Sequence, residues 1–442
     1  MKIAMITNNY KPFVGGVPIL IERLSKGLCG LGHEVWIFAP GYDGNDYLQD
    51  QDEIRKEDEE EHVIRYCACK RKLGNGMVIP GIWDTGVEEI FQREEFDLIH
   101  VHHPMLAGNM AVYLSHKYDI PLVYTYHTRY EEYLHYLPPF SGAKKGSIGE
   151  KILLIMQKLL PHYIHAYIKK CHMIFAPSED MARYVREMDE DAYVKVLPTG
   201  IRREACEKDE ERSCRIRRKY GENRPYLLCT VSRMEKEKNL YFLLRAAEEL
   251  EKQMGQCFRI LMVGGGSELP KLQQYVKERG LSDVVVFTGE VPQEQVKDYL
   301  FASDMFLFAS KSETQGIVLA EAMAAGLPVV AVEACGVRDI VENGKNGYMT
   351  GEDVEHYVKC IVKLLSEGEC RRKMGDRACQ TAASYQGQTI AELAWEGYRK
   401  ALEIQNGYHR DMETGRRREI YAYEGYHKEH TVTSLLHLFK MS

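Results

Sequence analysis

Glu313 and Glu321 stand eight positions apart in SKSETQGIVLAEAMAAGLPVV, residues 310–330, with Gly316 between them. Each carboxylate can accept a pair of hydroxyl donors, which is what a sugar ring presents. A second group is basic. Arg233 and Lys238 lie in SRMEKEK, directly after the apolar run LLCTV. A guanidinium offers a planar fork to phosphate oxygens and an ammonium a mobile point charge, so the pair suits a diphosphate. Val263-Gly264-Gly265-Gly266 ends another apolar run, and Gly15 and Gly16 occupy the turn NNYKPFVGGVP near the start of the chain. Glycines there bring backbone N–H groups close to an anion at a helix N-terminus. Each feature alone also reads as ordinary surface: solvated glutamates, basic residues beside Glu235 and Glu237, tight glycine turns. Their shared place at strand ends joins them, because open parallel sheets bind ligands beyond the carboxyl ends of their strands.

The elements that must position these groups alternate. Lys2 to Thr7 reads as a strand, Ile19 to Leu31 as an amphipathic helix and Val35 to Phe38 as a second strand, a βαβ opening. Asp97 to Val101 and Pro121 to Thr125 are short buried strands that end in His102-His103-Pro104 and Tyr126-His127-Thr128. Met173 to Ala176 and Val194 to Val196 continue the pattern to Pro198-Thr199-Gly200. After a charged helical link, Cys206 to Tyr220, the alternation restarts at Tyr226 and runs through Phe258 to Val263, Leu269 to Arg279 and Val284 to Thr288. Met305 to Ala309 reads as a further strand. Glu321 to Ala325 reads as a helix that Gly326 stops and Pro328 prevents from resuming. The expectation is an α/β protein of two Rossmann-like domains facing each other across a cleft. An N-terminal acceptor-side domain spans 1–200 and a nucleotide-sugar-binding domain 201–390. Segment 391–442 is a helix and tail, the helix packing back toward the N-terminal domain.

Bulk properties narrow the function. The net charge of −7 is local: ten acidic residues between Asp43 and Glu61 face only Arg55 and Lys56, so the remainder is near neutral and nothing favours nucleic acid. The twelve cysteines include no CxxC pair and mostly lie in apolar contexts, as reduced cysteines do. The first residues, MKIAMITNNYKPF, lack a signal-peptide pattern, and no uncharged apolar run is long enough to span a bilayer. Any membrane work is expected from the surface.

The SRxxxxK loop, the VGGG turn and above all E-x7-E within SETQGIVLAEAMAAGLPVVA resemble the retaining GT-B glycosyltransferases of family 4, over Met1 to about Leu402. TYHTRYEEYLHY, residues 125–136, looks like the bacterial diacylglycerol glucosyltransferases within that group. The resemblance implies that Arg233 and Lys238 hold the donor diphosphate, Glu321 the donor ribose, and that Glu313 faces the transferred sugar. It places the backbone of Gly316 and Ile317 near that sugar and its phosphates, Gly16 in the loop across the cleft, and His127 beside the reacting sugar. Ile201-Arg202 departs from the pattern, since many relatives carry an aspartate after PTGI.

No cofactor is expected: fixed cations and helix N-termini stabilise a departing nucleoside diphosphate without a metal. The two DxD strings, Asp50-Gln51-Asp52 and Asp189-Glu190-Asp191, sit in acidic loops rather than at strand ends. A double displacement would need a carboxylate nucleophile. The resemblance puts Glu313 on another part of the sugar, which leaves front-face substitution with phosphate-assisted deprotonation of the acceptor. Between residues 144 and 170 six lysines, Lys144, Lys145, Lys151, Lys158, Lys169 and Lys170, face one acid, Glu150. On a helix, Lys151 and Lys158 share one face, while Ile152, Leu153, Met156, Leu159, Leu160 and Tyr163 occupy the other, with Pro161 expected to kink it. Such a helix can lie on an anionic bilayer or pack its apolar face on the sheet.

The expected enzyme is a hexosyltransferase of glycolipid biosynthesis. It moves glucose from UDP-glucose to a lipid such as diacylglycerol, and is cytoplasmic and peripherally associated with the inner face of the cell membrane. A soluble or polyisoprenoid-linked acceptor, or a non-catalytic nucleotide-sugar-binding module, are the alternatives.

Overall fold

The computed structural model describes residues 1–13, 15–42, 58–72, 78–81, 83–130, 148–221, 224–311 and 315–413. The first half contains β1 (Lys2–Ile6), α1 (Gly16–Gly30), β2 (Glu34–Pro40), β3 (Val63–Tyr66), β4 (Ala68–Lys72), β5 (Val78–Pro80), α2 (Thr85–Glu94) and β6 (Leu98–Val101). It continues through α3 (Ala107–Tyr118), β7 (Leu122–Thr125), α4 (Ile148–Ile168), β8 (Met173–Ala176), α5 (Glu179–Met188) and β9 (Val194–Val196). The second half contains α6 (Glu210–Gly221), β10 (Tyr226–Val231), α7 (Leu240–Met254), β11 (Phe258–Val263), α8 (Leu269–Glu278), β12 (Val285–Gly289), α9 (Val296–Phe301) and β13 (Met305–Phe308). Then follow α10 (Ile317–Ala324), β14 (Val329–Val332), α11 (Cys335–Arg338), β15 (Gly347–Thr350), α12 (Val354–Ser366), α13 (Gly368–Ala383) and α14 (Gly387–Glu413).

Seven strands form one sheet in the order β3-β2-β1-β6-β7-β8-β9, and six form another in the order β12-β11-β10-β13-β14-β15. All pairings within these two sheets are parallel. This is the expected two-domain α/β architecture, the GT-B fold. Parallel strands are buried on both faces, which is why their sequences are continuous apolar runs. Residues alternate between two cores: Leu228, Ile260 and Met305 pack under α7, α8 and α12, whereas Cys229, Leu261 and Phe306 pack under α9, α10 and α13.

Several elements differ in extent from the sequence reading. Helix α1 starts at Gly16, because Pro18 is tolerated in a first turn. Helix α10 starts at Ile317 rather than at Glu321, behind Gly316 in the left-handed conformation at φ 68°. Glu321 therefore lies one turn inside the helix. The small antiparallel pair β4 and β5 was not expected, since ACKRK lacks a clear apolar alternation. Helix α4 runs on through Pro161 as one helix. Of the cysteines, Cys229 and Cys360 are buried but Cys29, Cys67, Cys214 and Cys379 are exposed.

Helix α14 returns the chain to the first half. Its Ile390, Ala391, Ala394, Tyr398 and Ala401 share a core with Leu20, Ile21, Leu24 and Leu28 of α1 and with Ile3, Met5 and Phe175 of the sheet. The two passages between halves lie side by side: Ile201 N donates to Tyr385 O at 2.7 Å. There α1 and α14 touch through backbone. A Cβ on Gly27 would sit 2.9 Å from Gly387 O and 2.8 Å from Ala391 Cβ. Gly27→Val is therefore expected to lower unfolding free energy by about 1–3 kcal/mol through overpacking. Urea denaturation measures this, and an unchanged midpoint would contradict the packing described.

Candidate active site

In doubly wound sheets the ligand crevice lies where the strand order reverses. That point falls between β1 and β6 in the first sheet and between β10 and β13 in the second. The loops after β8 and β14 meet: Glu179 N, at the start of α5, donates to Asp339 Oδ2 at 2.8 Å, and Arg338 Nη1 lies 3.2 Å from Asp180 Oδ2. The carboxyl edges of the two sheets therefore face each other.

On the second-half wall, Arg233 follows β10 and is exposed, with Nη2 3.3 Å from Glu237 Oε1. A solvated pair of this kind holds little energy, so the guanidinium yields readily to a better anion. Lys238 closes the short 3-10 turn Lys236–Lys238 and is half-buried. The basic loop and the glycine turn form one unit: Met234 N donates to Gly265 O at 2.7 Å, and Glu268 N to Met234 O at 2.9 Å. Gly264 has φ 134°, and a Cβ there would lie 2.0 Å from Ser232 O, so only glycine fits. On the same wall, Gly316 and Ile317 begin α10, whose first-turn amides present partial positive charge. Ser310, at the end of β13, is buried, and its hydroxyl has no hydrogen-bond partner among the described residues. Glu313 lies outside the described residues.

Glu321 is buried, and Arg23 Nη2 of α1 stands 3.2 Å from its Oε1. With Arg202, Gln293 and Lys297 it lines a cavity of about 270 Å³. Arg202 caps the 3-10 turn Arg203–Cys206 without a side-chain hydrogen bond. Gln315 is also buried. Its Oε1 accepts from Thr199 N at 2.9 Å and its Nε2 donates to Thr199 O at 3.3 Å. The sequence reading singled out neither Arg23 nor Gln315. The available signal for Arg23 was a charge among Leu20, Ile21 and Leu24 on the buried side of a helix.

On the first-half wall, Gly15 precedes α1 in extended conformation at φ −171°, with no side-chain cap, and Gly16 is exposed. That helix start is the other amide-bearing terminus at the crevice. Beside it lie four histidines. His102 Nδ1 and His127 Nε2 are 3.1 Å apart, so one must donate and the other accept. His103 Nδ1 accepts from Asn8 N at 3.1 Å. His100 bridges Thr125 Oγ1 at 2.6 Å and Tyr398 OH at 2.8 Å, which ties β6 and β7 to α14. Burial lowers all four imidazoles, His100 to about 3 and His103 to about 4, with His102 and His127 well below the ordinary value. His127 is thus a neutral hydrogen-bonding group in a tautomer coupled to His102.

Asp189 and Asp191 sit at the end of α5, remote from both reversal points, and Asp50 and Asp52 lie outside the described residues. Lys144 and Lys145 also lie outside them, and Lys151 falls on α4. Lys158 and Lys169 are exposed and Lys170 half-buried. The expected division of α4 into a basic and an apolar face is corrected. Leu153, Met156, Leu160 and Tyr163 pack inward, but Leu159 joins Leu154 and Ile155 on the outside. These three are 58%, 52% and 55% exposed, next to Lys158. The inner side of α4 braces the loop after β6, through Tyr163 OH donating to Pro104 O at 2.8 Å. No described helix is long and apolar enough to cross a membrane.

Residues 14–205 match Glycosyltransferase Family 4, and residues 213–381 match Glycosyl transferases group 1. An alpha-monoglucosyldiacylglycerol synthase from Acholeplasma laidlawii is 26% identical over 410 residues, 92% of this chain and 98% of its own. The Streptococcus pneumoniae enzyme of that name is 29% identical over 339 residues, 75% of this chain and 71% of its own. An N-acetyl-alpha-D-glucosaminyl L-malate synthase from Bacillus anthracis is 25% identical over 378 residues, 83% and 89% of the two chains. Among solved structures, Anabaena HepE in complex with UDP and glucose superposes with a TM-score of 0.63 at 20% identity, covering 90% of this chain and 98% of that one. Sucrose-phosphate synthase from Thermosynechococcus elongatus gives 0.67 at 19% identity, covering 91% and 99%.

The histidine cluster sets a pH dependence. Native His100 and His102 stay neutral below the ordinary imidazole pKa, while the unfolded chain takes up protons there. Stability therefore falls as pH drops from about 6.5 to 5, by up to ~1.4 kcal/mol per pH unit for each such histidine. Urea unfolding at both ends of that window measures the slope, which His100→Asn should reduce; an identical slope in the variant would contradict the assignment.

Proposed function

The chain belongs to the GT-B glycosyltransferases, with a family 4 amino-terminal half and a group 1 carboxyl-terminal half, and on that premise we propose that it moves glucose from UDP-glucose to the hydroxyl of a membrane lipid such as diacylglycerol, with retention of configuration. The observation that carries the reading is that the two carboxyl edges face each other, joined by Arg338–Asp180 and Arg23–Glu321, with Arg233, Lys238 and the start of α10 on one side and His127 and the start of α1 on the other. The donor diphosphate lies against Arg233 and Lys238, with Gly264 keeping the turn beside them tight. The helix starts at Gly316-Ile317 and Gly15-Gly16 add partial positive charge. Glu321 takes the ribose hydroxyls, Glu313 the hydroxyls of the transferred sugar, and His127 hydrogen-bonds the sugar as a neutral group.

As the bond from the anomeric carbon to the phosphate oxygen breaks, negative charge grows on the diphosphate, where these fixed donors stabilise it without a metal. The acceptor oxygen forms its bond on the same face, and its proton passes to the departing phosphate oxygen. No protein carboxylate is used as a nucleophile.

The lipid acceptor is supported by the diacylglycerol-directed names of two relatives and by the outward apolar face of α4. Leu154, Ile155 and Leu159 enter the interface of an anionic bilayer, Lys158 and its neighbouring lysines meet its headgroups, and the loop after β6 is held at the membrane side. The protein thus works at the inner face of the cell membrane, from the cytoplasm.

The test is transfer from a panel of UDP- and GDP-sugars to diacylglycerol in vesicles containing phosphatidylglycerol. UDP-glucose should give a glucosylated lipid with an α linkage, and transfer only to water-soluble acceptors would overturn the lipid reading. His127→Ala and Glu313→Ala should each lower turnover roughly a hundredfold or more, within the range usual for groups that contact the transition state. Unchanged activity in both would sink the site assignment. Replacing Leu154, Ile155 and Leu159 together by serine should cut vesicle co-sedimentation at least about tenfold, given roughly 1.5–3 kcal/mol per fully buried aliphatic side chain.

A further inference from the structure

The carboxylate assigned to the ribose belongs to one half of the protein, but its buried counter-charge belongs to the other. Arg23 is 9% exposed, its Nη2 lies 3.2 Å from Glu321 Oε1, and its Nη1 donates to Gly200 O at 2.5 Å. Its Nε is buried with no partner among the described residues. Gly200 is part of the linker between the halves, and a Cβ there would sit 3.1 Å from Gly387 Cα of the returning chain. One residue earlier, Thr199 gives both its backbone groups to Gln315, two positions after Glu313 in the sequence. Residues 315–321 are therefore tied to the linker at two points, directly through Gln315 and indirectly through Arg23 of α1.

We propose that Arg23 is a positioning residue for the donor, coupling the nucleoside side of the site to apposition of the two domains. Its guanidinium fixes the Glu321 carboxylate through Oε1 and leaves Oε2 to accept from the ribose diol; a carboxylate has acceptor sites for both. This geometry exists only while α1 lies against α10. A donor that engages Glu321 favours that arrangement, and by reciprocity the arrangement strengthens donor binding. Arginine suits the task because one planar fork holds Gly200 O and Glu321 together, which a lysine cannot do. This inference rests on the assignment of Glu321 to the ribose.

The experiment compares the full chain with Arg23→Met, Arg23→Lys, Glu321→Gln and the double variant Arg23→Met/Glu321→Gln. Donor KM, kcat and UDP affinity by calorimetry are measured for each, after circular dichroism has shown native folding. Arg23→Met should raise donor KM and the Kd for UDP about tenfold or more while kcat and acceptor KM change less than threefold. Arg23→Lys should recover part of the loss. In the Glu321→Gln background the Arg23→Met change should cost less than twofold, because the carboxylate it positions is gone. A folded Arg23→Met or Arg23→Lys protein with donor KM and UDP affinity within twofold of the parent, beside a weakened Glu321→Gln, overturns the coupling and leaves Arg23 as packing. Unaltered donor KM in Glu321→Gln overturns instead the ribose assignment beneath it.

Discussion

Everything at this site depends on two parallel sheets being held with their carboxyl edges face to face. Neither sheet alone presents all of the groups: cations and the α10 start lie on one, histidines and the α1 start on the other. The apposition is secured where the chain crosses between halves twice, at Ile201 and Tyr385, with α14 completing the core of the half it did not start from. A buried ion pair, Arg23 with Glu321, lies at this crossing. Such pairs contribute little net stability, yet removing one partner strands a buried charge at a cost of about 3–5 kcal/mol. The pair thus specifies an arrangement more than it strengthens one.

The electrostatics divide along the same line. The second half supplies positive charge for an anion, through Arg233, Lys238 and the first-turn amides of α10. The first half supplies polarity without charge, because burial keeps His100, His102, His103 and His127 neutral. A cleft built so suits an anion at one wall and hydrogen bonding to a neutral ligand at the other. Helix α4 continues the first wall outward, anchoring the loop after β6 with its inner face while exposing Leu154, Ile155 and Leu159.

Much of this was legible in the residues. Continuous apolar runs such as LLCTV and FRILMV announced parallel strands, and SRMEK and VGGG do follow the ends of β10 and β11. What sequence could not show arises from tertiary context. Helix α10 begins at Ile317, before Glu321, because Gly316 can adopt a left-handed cap there, and this buries Glu321. Arg23 looked like one more charge on an amphipathic helix, since its partner is 298 residues away. Leu159 reads as core by periodicity alone. Its exposure follows from how far α4 is rotated on the sheet, which no local pattern encodes.

Whether a donor diphosphate occupies the crevice between the two sheets is decided by a crystal structure of the full chain with UDP. Phosphate oxygens should lie within hydrogen-bond distance of the Arg233 guanidinium, the Lys238 ammonium and the backbone amides at Gly316-Ile317, with the ribose at Glu321. UDP found elsewhere, for example in the open groove lined by Lys345, Lys373 and Arg377 on the far side of the second domain, would contradict that placement.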